Sequence, residues 1–405
     1  MKRRIYVAGA FLLALVLLGV AQSLVGRVAQ AQAKSAVMAP RFEVDPFWPK
    51  PLPNHWLLGN SIGVFVDEKD NVWMVHRGVA NLNRDENGIA NKIAECCAPA
   101  PPVLAFDKSG NLIKSWGGPG QGYEWPTSNH GIAIDQTGAV WIGGNGPGDS
   151  QIMKFTQDGK FIAQYGKANA RQAGTDPKGQ PTFKPNSNDP DSFGRVAKIT
   201  IDAKANEAYI ADGYFNHRVA VLDQSTGKMK RYWGAYGAKP DDTDLGPYDP
   251  SAPPAKQFRN PVHCAEPSND GFVYVCDRVN DRIQVFQKDG KFVKEQRIKP
   301  KTLGDGAVWD IAFSKDAAQK YMFLADGSNE KFYVMDRQSL EILTSFGDGS
   351  RQPGGFYAVH SIATDSKGNL YTTETYEGKR VQKFVYKGLK AVTQMDQGVV
   401  WPTTR

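Results

Sequence analysis

Three of the 6 histidines in this 405-residue sequence stand in one repeated context. His130, His263 and His360 each directly precede a short apolar run: Gly131-Ile132-Ala133-Ile134-Asp135, the run opening at Cys264, and Ser361-Ile362-Ala363-Thr364-Asp365. A neutral imidazole is the commonest metal ligand. Three of them leave a fourth coordination position open, as in a catalytic zinc site rather than a closed structural one. A metal held there polarises an oxygen or lowers the pKa of bound water. Imidazole also suits copper, iron and nickel, so the residue types point to Zn2+ first and to a transition metal in general. One such histidine alone reads as a channel residue bonded to carbonyls or water; three in one register read as a site.

Other polar residues fall at the ends of second strands, on the same rim if the repeats superpose. These are Arg77, Tyr214 and Arg278. Each has a plainer reading: arginines in such turns bond neighbouring carbonyls, and a tyrosine can be core. The motifs Asn216-His217-Arg218, Asn280-Asp281-Arg282 and Asn329-Glu330-Lys331 recur as a set and are assigned to turn structure, His217 with them. His55 and His76 have no partner identifiable from sequence.

What must position these residues is a repeat. A short apolar strand, a polar turn, an aromatic and β-branched strand, a charged turn, a third strand, an Asp-x-x-Gly-like turn and a fourth strand recur six times. The units begin near Gly63, Gly131, Lys198, Cys264, Asp310 and Ser361, at separations of 68, 67, 66, 46 and 51 residues. Allowing for loops, that period belongs to propeller blades. Short strands between turn signals, with no long helical periodicity, predict an all-β six-bladed β-propeller whose closure leaves no long exposed edge. A β-sandwich does not explain six copies of one unit. The 41 Gly and 25 Pro punctuate the turns.

The residues just before the first strands are Ile62, His130, Ala197, His263, Trp309 and His360. Histidine takes alternate units, which a propeller places about 120° apart around its central channel. The propeller is assigned to residues 55–385, with 34–54 as an N-terminal segment whose Phe42-Glu43-Val44 is the expected outer strand of the last blade, and 386–405 as a C-terminal tail. Insertions at 79–102, 167–192 and 235–257 read as loops over a face.

The N-terminus carries Lys2, Arg3 and Arg4, an apolar run from about Ile5 to Val20, and the small-x-small tripeptide Ala31-Gln32-Ala33. Residues 1–33 therefore read as a signal peptide, with a retained anchor as the competing reading. Its removal takes Lys2, Arg3, Arg4, Arg27 and no acid, so the formal charge falls from +7 to +3. No basic cluster interleaved with aromatics survives, which argues against nucleic acid as a partner. The expected product is periplasmic or extracellular, monomeric, and without stable membrane insertion. In an exported chain the 4 cysteines are candidate disulfides. Cys264 and Cys276 flank a hairpin turn centred on Asp270 and face each other across it, whereas adjacent Cys96 and Cys97 are compatible with a vicinal bridge, another pairing or free thiols.

With those motifs laid out, the sequence resembles a known family. The units resemble NHL repeats. The succession His76-Arg77-Gly78, His130-Gly131 with Asp135, Asp212-Gly213-Tyr214 with Asn216 and Arg218, His263 followed by Asp277-Arg278 with Asn280 and Arg282, and a last His360 is similar to peptidyl-α-hydroxyglycine α-amidating lyase over roughly residues 55–385. The resemblance implies zinc on His130, His263 and His360, Tyr214 as base, and Arg77 and Arg278 on a small carboxylate-bearing substrate. It also implies cleavage of a carbinolamide, N–CH(OH)–COO⁻, to an amide and glyoxylate. Two positions depart from the family. Ser361 stands where an aspartate helps hold a structural Ca2+, which prefers carboxylates, and Phe215 replaces a cysteine.

The function expected on these grounds is metal-dependent lyase chemistry. Its rivals are a non-catalytic NHL propeller binding a protein or glycan on its loop-rich face, and a hydrolase or oxidase using the same metal. A propeller lactonase is disfavoured because the inner register shows no carboxylate cluster for calcium.

Overall fold

The computed structural model describes residues 37–402 and, apart from them, Gln22. The signal peptide expected over 1–33 lies, Gln22 apart, outside the described residues. Each unit forms one four-stranded antiparallel sheet, and six such sheets make the ring. The strand-1 turn shows how sequence sets local structure. Asp67 Oδ1 accepts the N–H groups of Lys69 and Asn71, both at 2.9 Å, and Asp135 and Asp365 do the same for Thr137 and Ala139 and for Lys367 and Asn369. An aspartate two residues ahead of a turn replaces backbone partners in this way. The second carboxylate oxygen takes a donor from the next strand: Trp73 at 3.0 Å, Trp141 at 2.9 Å, Tyr371 at 3.1 Å.

The last blade combines Val359–Thr364, Leu370–Glu374 and Arg380–Ala391 with Met38–Asp45, which pairs outermost, Phe42 opposite Tyr386 and Val44 opposite Phe384. Early and late chain thus close the ring. Apolar side chains of neighbouring blades interlock; Trp73, Val75 and Val103 of blade 1, for example, pack with Ile132, Val140 and Phe155 of blade 2. A blade cannot bury its faces alone, so each depends on its neighbours.

The first strands begin earlier than the sequence reading places them: at Ser61, Asn129, Val196, Val262 and Val359. Ile62, His130, Ala197, His263 and His360 therefore lie inside strands, and only Trp309 precedes its strand, Asp310–Phe313. In four of these strands the register residue is itself an unpaired bulge, while in blade 2 the bulge is Gly131. A bulge interrupts the alternation from which strands are read, and re-aims a side chain. Gly131 has φ +59, and a Cβ there would lie 3.0 Å from the Ala197 carbonyl oxygen, so glycine lets blades 2 and 3 approach.

Cys264 pairs directly opposite Cys276 and the two are bridged; Cys96 and Cys97 form the vicinal bridge. The insertions 79–102, 167–192 and 235–257 lie between the second and third strands of blade 1, between blades 2 and 3, and between blades 3 and 4. Among the described residues no helix is long and apolar enough to cross a membrane.

Candidate metal centre

The three register histidines converge. His130, His263 and His360 are 1%, 3% and 3% exposed, their ring centroids are 4.8–5.4 Å apart, and one nitrogen from each falls within 4.8 Å of the others. Each ring is held by a backbone carbonyl of the next blade at the matching register position. His130 Nδ1 reaches Ala197 O at 2.5 Å, His360 Nδ1 reaches Ile62 O at 2.8 Å, and His263 Nδ1 bonds to Trp309 O. A carbonyl only accepts, so Nδ1 carries the proton and the Nε2 lone pair is left for the axis. Anchoring of the second nitrogen is how metal-binding imidazoles are oriented. Burial, with the neighbouring histidines and guanidinium groups, holds His130 and His263 well below the ordinary histidine value. Burial first, then Arg278 and Arg77, pull His360 down to about 3. All three rings are neutral at neutral pH, the form in which imidazole can take a metal.

Tyr214 sits against this cluster. Its hydroxyl is 3.0 Å from His130 Nε2 and 3.0 Å from His263 Nε2. One hydroxyl proton serves only one of these two acceptors, so one of the two Nε2 lone pairs receives no proton from Tyr214. A neutral nitrogen lone pair left in this way, within a set of three imidazoles, fits a metal ligand.

The repeated turns place Tyr214 and Arg278. At the end of strand Glu207–Asp212, the Asp212 carboxylate collects Gly194 N at 2.6 Å, Asn216 Nδ2 at 2.8 Å and Arg218 Nε at 2.8 Å. Asp277 does the same for Arg259 N, Asn280 Nδ2 and Arg282 Nε at 2.7–2.9 Å. The Asn-x-Arg motifs are turn structure, and the turns carry Tyr214, two residues after Asp212, and Arg278, directly after Asp277, to the histidine cluster. Gly213 is required there, since a Cβ would lie 2.2 Å from Val262 N, one residue from His263.

Arg278 donates Nη1–H to the Tyr214 hydroxyl at 3.3 Å and Nη2–H to Asp305 Oδ1 at 3.3 Å; its guanidinium lies 4.5 Å from the centroid of the Trp309 ring. It is 5% exposed, and its Nε has no hydrogen-bond partner among the described residues. Arg77 is turned toward blade 2, donating to Asn145 Oδ1 at 2.9 Å and Asn129 O at 3.4 Å. It shares the field of the site: burial lowers its pKa, and Tyr214 and Tyr376 act in the opposite direction.

Sequence reasoning missed Asp305, Trp309 and Tyr376. Tyr376 donates to Asp305 Oδ2 at 2.8 Å, completing a chain from Tyr376 through Asp305 to Arg278. Trp309 was the available signal, an aromatic at the inner register of blade 5. His76 is not partnerless: its Nδ1 accepts from Gly59 N at 3.2 Å and Gly78 N at 3.0 Å, and Nε2 donates to Pro101 O at 2.9 Å.

The calcium implied by the resemblance does not fit. Below the imidazoles, Lys198 Nζ bridges Asp310 Oδ1 at 2.6 Å and Glu266 Oε1 at 2.5 Å, while Ser361 Oγ donates to Asp310 Oδ2 at 2.7 Å. The channel does therefore hold carboxylates, contrary to the sequence reading, but an ammonium already satisfies them. Burial opposes the Lys198 charge, yet Asp310 and Glu266 outweigh it and hold its pKa above the usual lysine value. Cys264, Cys276 and Asp310 also cluster, but the disulfide removes the thiolates a metal needs.

Fold and site together define an NHL-type six-bladed β-propeller with a three-histidine group on its axis. No protein-family profile matches the chain. It is similar to peptidyl-glycine alpha-amidating monooxygenase B of Xenopus laevis, 24% identical over 329 residues, covering 79% of this chain and 33% of that protein. It is also similar to NHL repeat-containing protein 3 of Mus musculus, 25% identical over 386 residues, covering 90% of this chain and 89% of that one. The chain thus spans about a third of the length of the monooxygenase relative. A solved streptogramin B lyase shares 12% identity at a TM-score of 0.49, covering 85% of this chain and 98% of its own.

Proposed function

We propose that the protein is an exported, monomeric, zinc-dependent lyase that cleaves an N-acyl-α-hydroxyglycine-type carbinolamide to an amide and glyoxylate. One observation carries the reading: three converging imidazoles are each anchored through Nδ1, and Nε2 of His130 and of His263 reaches the hydroxyl of Tyr214 beside the half-satisfied guanidinium of Arg278. Zinc on His130, His263 and His360 supplies Lewis-acid polarisation of substrate oxygens. Arg278 takes the substrate carboxylate through its Nη donors, a charge-assisted contact suited to a planar fork. Tyr214 removes the hydroxyl proton. The C=O of glyoxylate forms as the C–N bond breaks, its electron pair goes to nitrogen, and the proton returns there, with no change of oxidation state. Arg77 adds a second positive charge near the developing oxyanion. The two disulfides support a life outside the cytoplasm.

A second reading is favoured by the near full-length match to NHL repeat-containing protein 3: a propeller without catalysis, binding a protein or glycan on the loop-rich face. Metal analysis followed by a glyoxylate assay decides between them. Bound metal with glyoxylate release supports the lyase. Metal without release turns to a hydrolase or oxidase, and a folded protein that takes up no metal supports the binding module.

A further inference from the structure

Directly beneath the three imidazoles lies a second layer, made of charge. Its members follow register residues in the chain: Lys198 follows Ala197, whose carbonyl anchors His130, Asp310 follows Trp309, whose carbonyl anchors His263, and Ser361 follows His360 itself. The space between the two layers is about 10 Å³, room for no more than a single water. In the lower layer one ammonium ties blades together. Lys198 of blade 3 donates to Glu266 Oε1 of blade 4 at 2.5 Å and to Asp310 Oδ1 of blade 5 at 2.6 Å, with Ile311 O at 3.4 Å. The other Asp310 oxygen extends the tie to blade 6, accepting Ser361 Oγ–H at 2.7 Å and Ile362 N–H at 3.0 Å. The Lys198, Glu266 and Asp310 side chains are 14%, 13% and 1% exposed. Two carboxylates so withdrawn from water stay together because a cation sits between them.

We propose that Lys198 is a built-in structural cation: its ammonium stands where a bound metal ion could sit on the axis, and by drawing blades 3 to 6 together it sets the spacing of the imidazoles above. What it positions rests on the three-histidine metal reading; its role as the cation of the lower layer does not. Two observations carry the proposal. The 2.5 and 2.6 Å contacts of Lys198 Nζ match the reach of about 2.3–2.6 Å at which carboxylate and carbonyl oxygens hold Ca2+, so the nitrogen occupies an ion's place among an ion's ligands. The same residues are also bonded directly to the anchors, so a shift of Lys198 or Asp310 moves the carbonyl of Ala197 or Trp309 and the ring it holds. Lys198 contacts none of the three imidazoles by hydrogen bond and acts as a positioning residue. A tethered ammonium needs no ion from outside, which leaves the ring indifferent to calcium. A cavity of about 300 Å³ at the far ends of the first strands, lined by Lys198, Glu266 and Phe313, gives an ion a way in once the lysine is cut back.

The test uses the full chain as wild type, Lys198→Ala and Lys198→Met, with two readouts: the thermal midpoint of the metal-free protein with and without excess CaCl2, and titration with Co2+, followed by its visible absorption as a probe of the histidines. Calcium takes oxygen ligands and leaves the imidazoles to cobalt. Wild type should keep its midpoint in CaCl2. Lys198→Ala should melt lower, regain at least about 2 °C in CaCl2, and bind Co2+ about 10- to 100-fold more weakly until calcium is added. Lys198→Met fills the space without a charge, so it should lose Co2+ affinity and gain nothing from calcium. A Lys198→Ala midpoint indifferent to calcium overturns the cation role, and Co2+ affinity equal to wild type overturns the positioning role. If Lys198→Ala folds only in CaCl2 the cation role stands; if it folds in neither condition, Glu266→Gln, which keeps the shape and Lys198 paired with Asp310, takes its place, and unchanged Co2+ affinity there overturns the proposal. The two readings separate: a wild type that takes up no Co2+ ends the metal site and the positioning role, while calcium rescue of Lys198→Ala stability still upholds the internal cation.

Discussion

His360 donates its Nδ1–H to the carbonyl oxygen of Ile62 at 2.8 Å, across the seam where blade 6 meets blade 1. The same contact recurs from His130 to Ala197 and from His263 to Trp309. Histidines of even blades are thus oriented by main-chain atoms of odd blades. The orientation of the three rings depends on the ring being closed, so the centre exists only in the complete propeller.

Replacing His130 or His360 with alanine removes one of the three imidazoles proposed to hold the metal. Loss of an outer partner alone costs about 10- to 100-fold in metal affinity, and loss of a ligand costs more. Elemental analysis should find about one transition metal per wild-type chain and almost none in either variant, with the β-type circular dichroism unchanged. Full metal content in His360→Ala would remove that residue from the site.

Tyr214→Phe deletes only the hydroxyl. It should keep the metal and lose glyoxylate release by about 10²- to 10⁴-fold, the usual contribution of a positioned acid or base. Undiminished turnover refutes the assigned base.

Asp305 makes a single 3.3 Å contact with Arg278 and is 46% exposed, on the face the substrate carboxylate would approach. It competes with that carboxylate. Asp305→Asn should therefore tighten inhibition by glyoxylate, by about two- to fivefold for a half-exposed pair. Weaker inhibition would instead make Asp305 a residue that holds Arg278 in position.

His76 is buried, and burial pulls its pKa down to about 4 despite the Pro101 carbonyl. Between pH 6.5 and 4 the unfolded chain binds a proton here that the folded chain refuses, so stability falls as pH falls through that window; above 6.5 nothing is lost. The difference is on the order of 3 kcal/mol. Urea unfolding at pH 7 and 4.5 should show a flatter dependence in His76→Gln than in wild type. Parallel slopes would mean that His76 does not stay neutral when folded.

Much of this was legible in the chain itself. Alternating apolar runs and aspartate turns specify six blades, and side-chain identity at one register marks His130, His263 and His360. The spacing about Asp270 set Cys264 against Cys276, and the Asn-x-Arg repeats announced turns that prove to aim Tyr214 and Arg278. These are local signals, carried by residue type and period. What only the tertiary structure decided is what meets across blades. Ile62, Ala197 and Trp309 anchor the imidazoles through carbonyls that every residue type possesses, so no sequence signal marks them. Asp305 and Tyr376 reach Arg278 from different blades, and Lys198 neutralises acids of two others. Those relationships arise when the ring closes, because closure alone sets the distances between residues that share no local pattern.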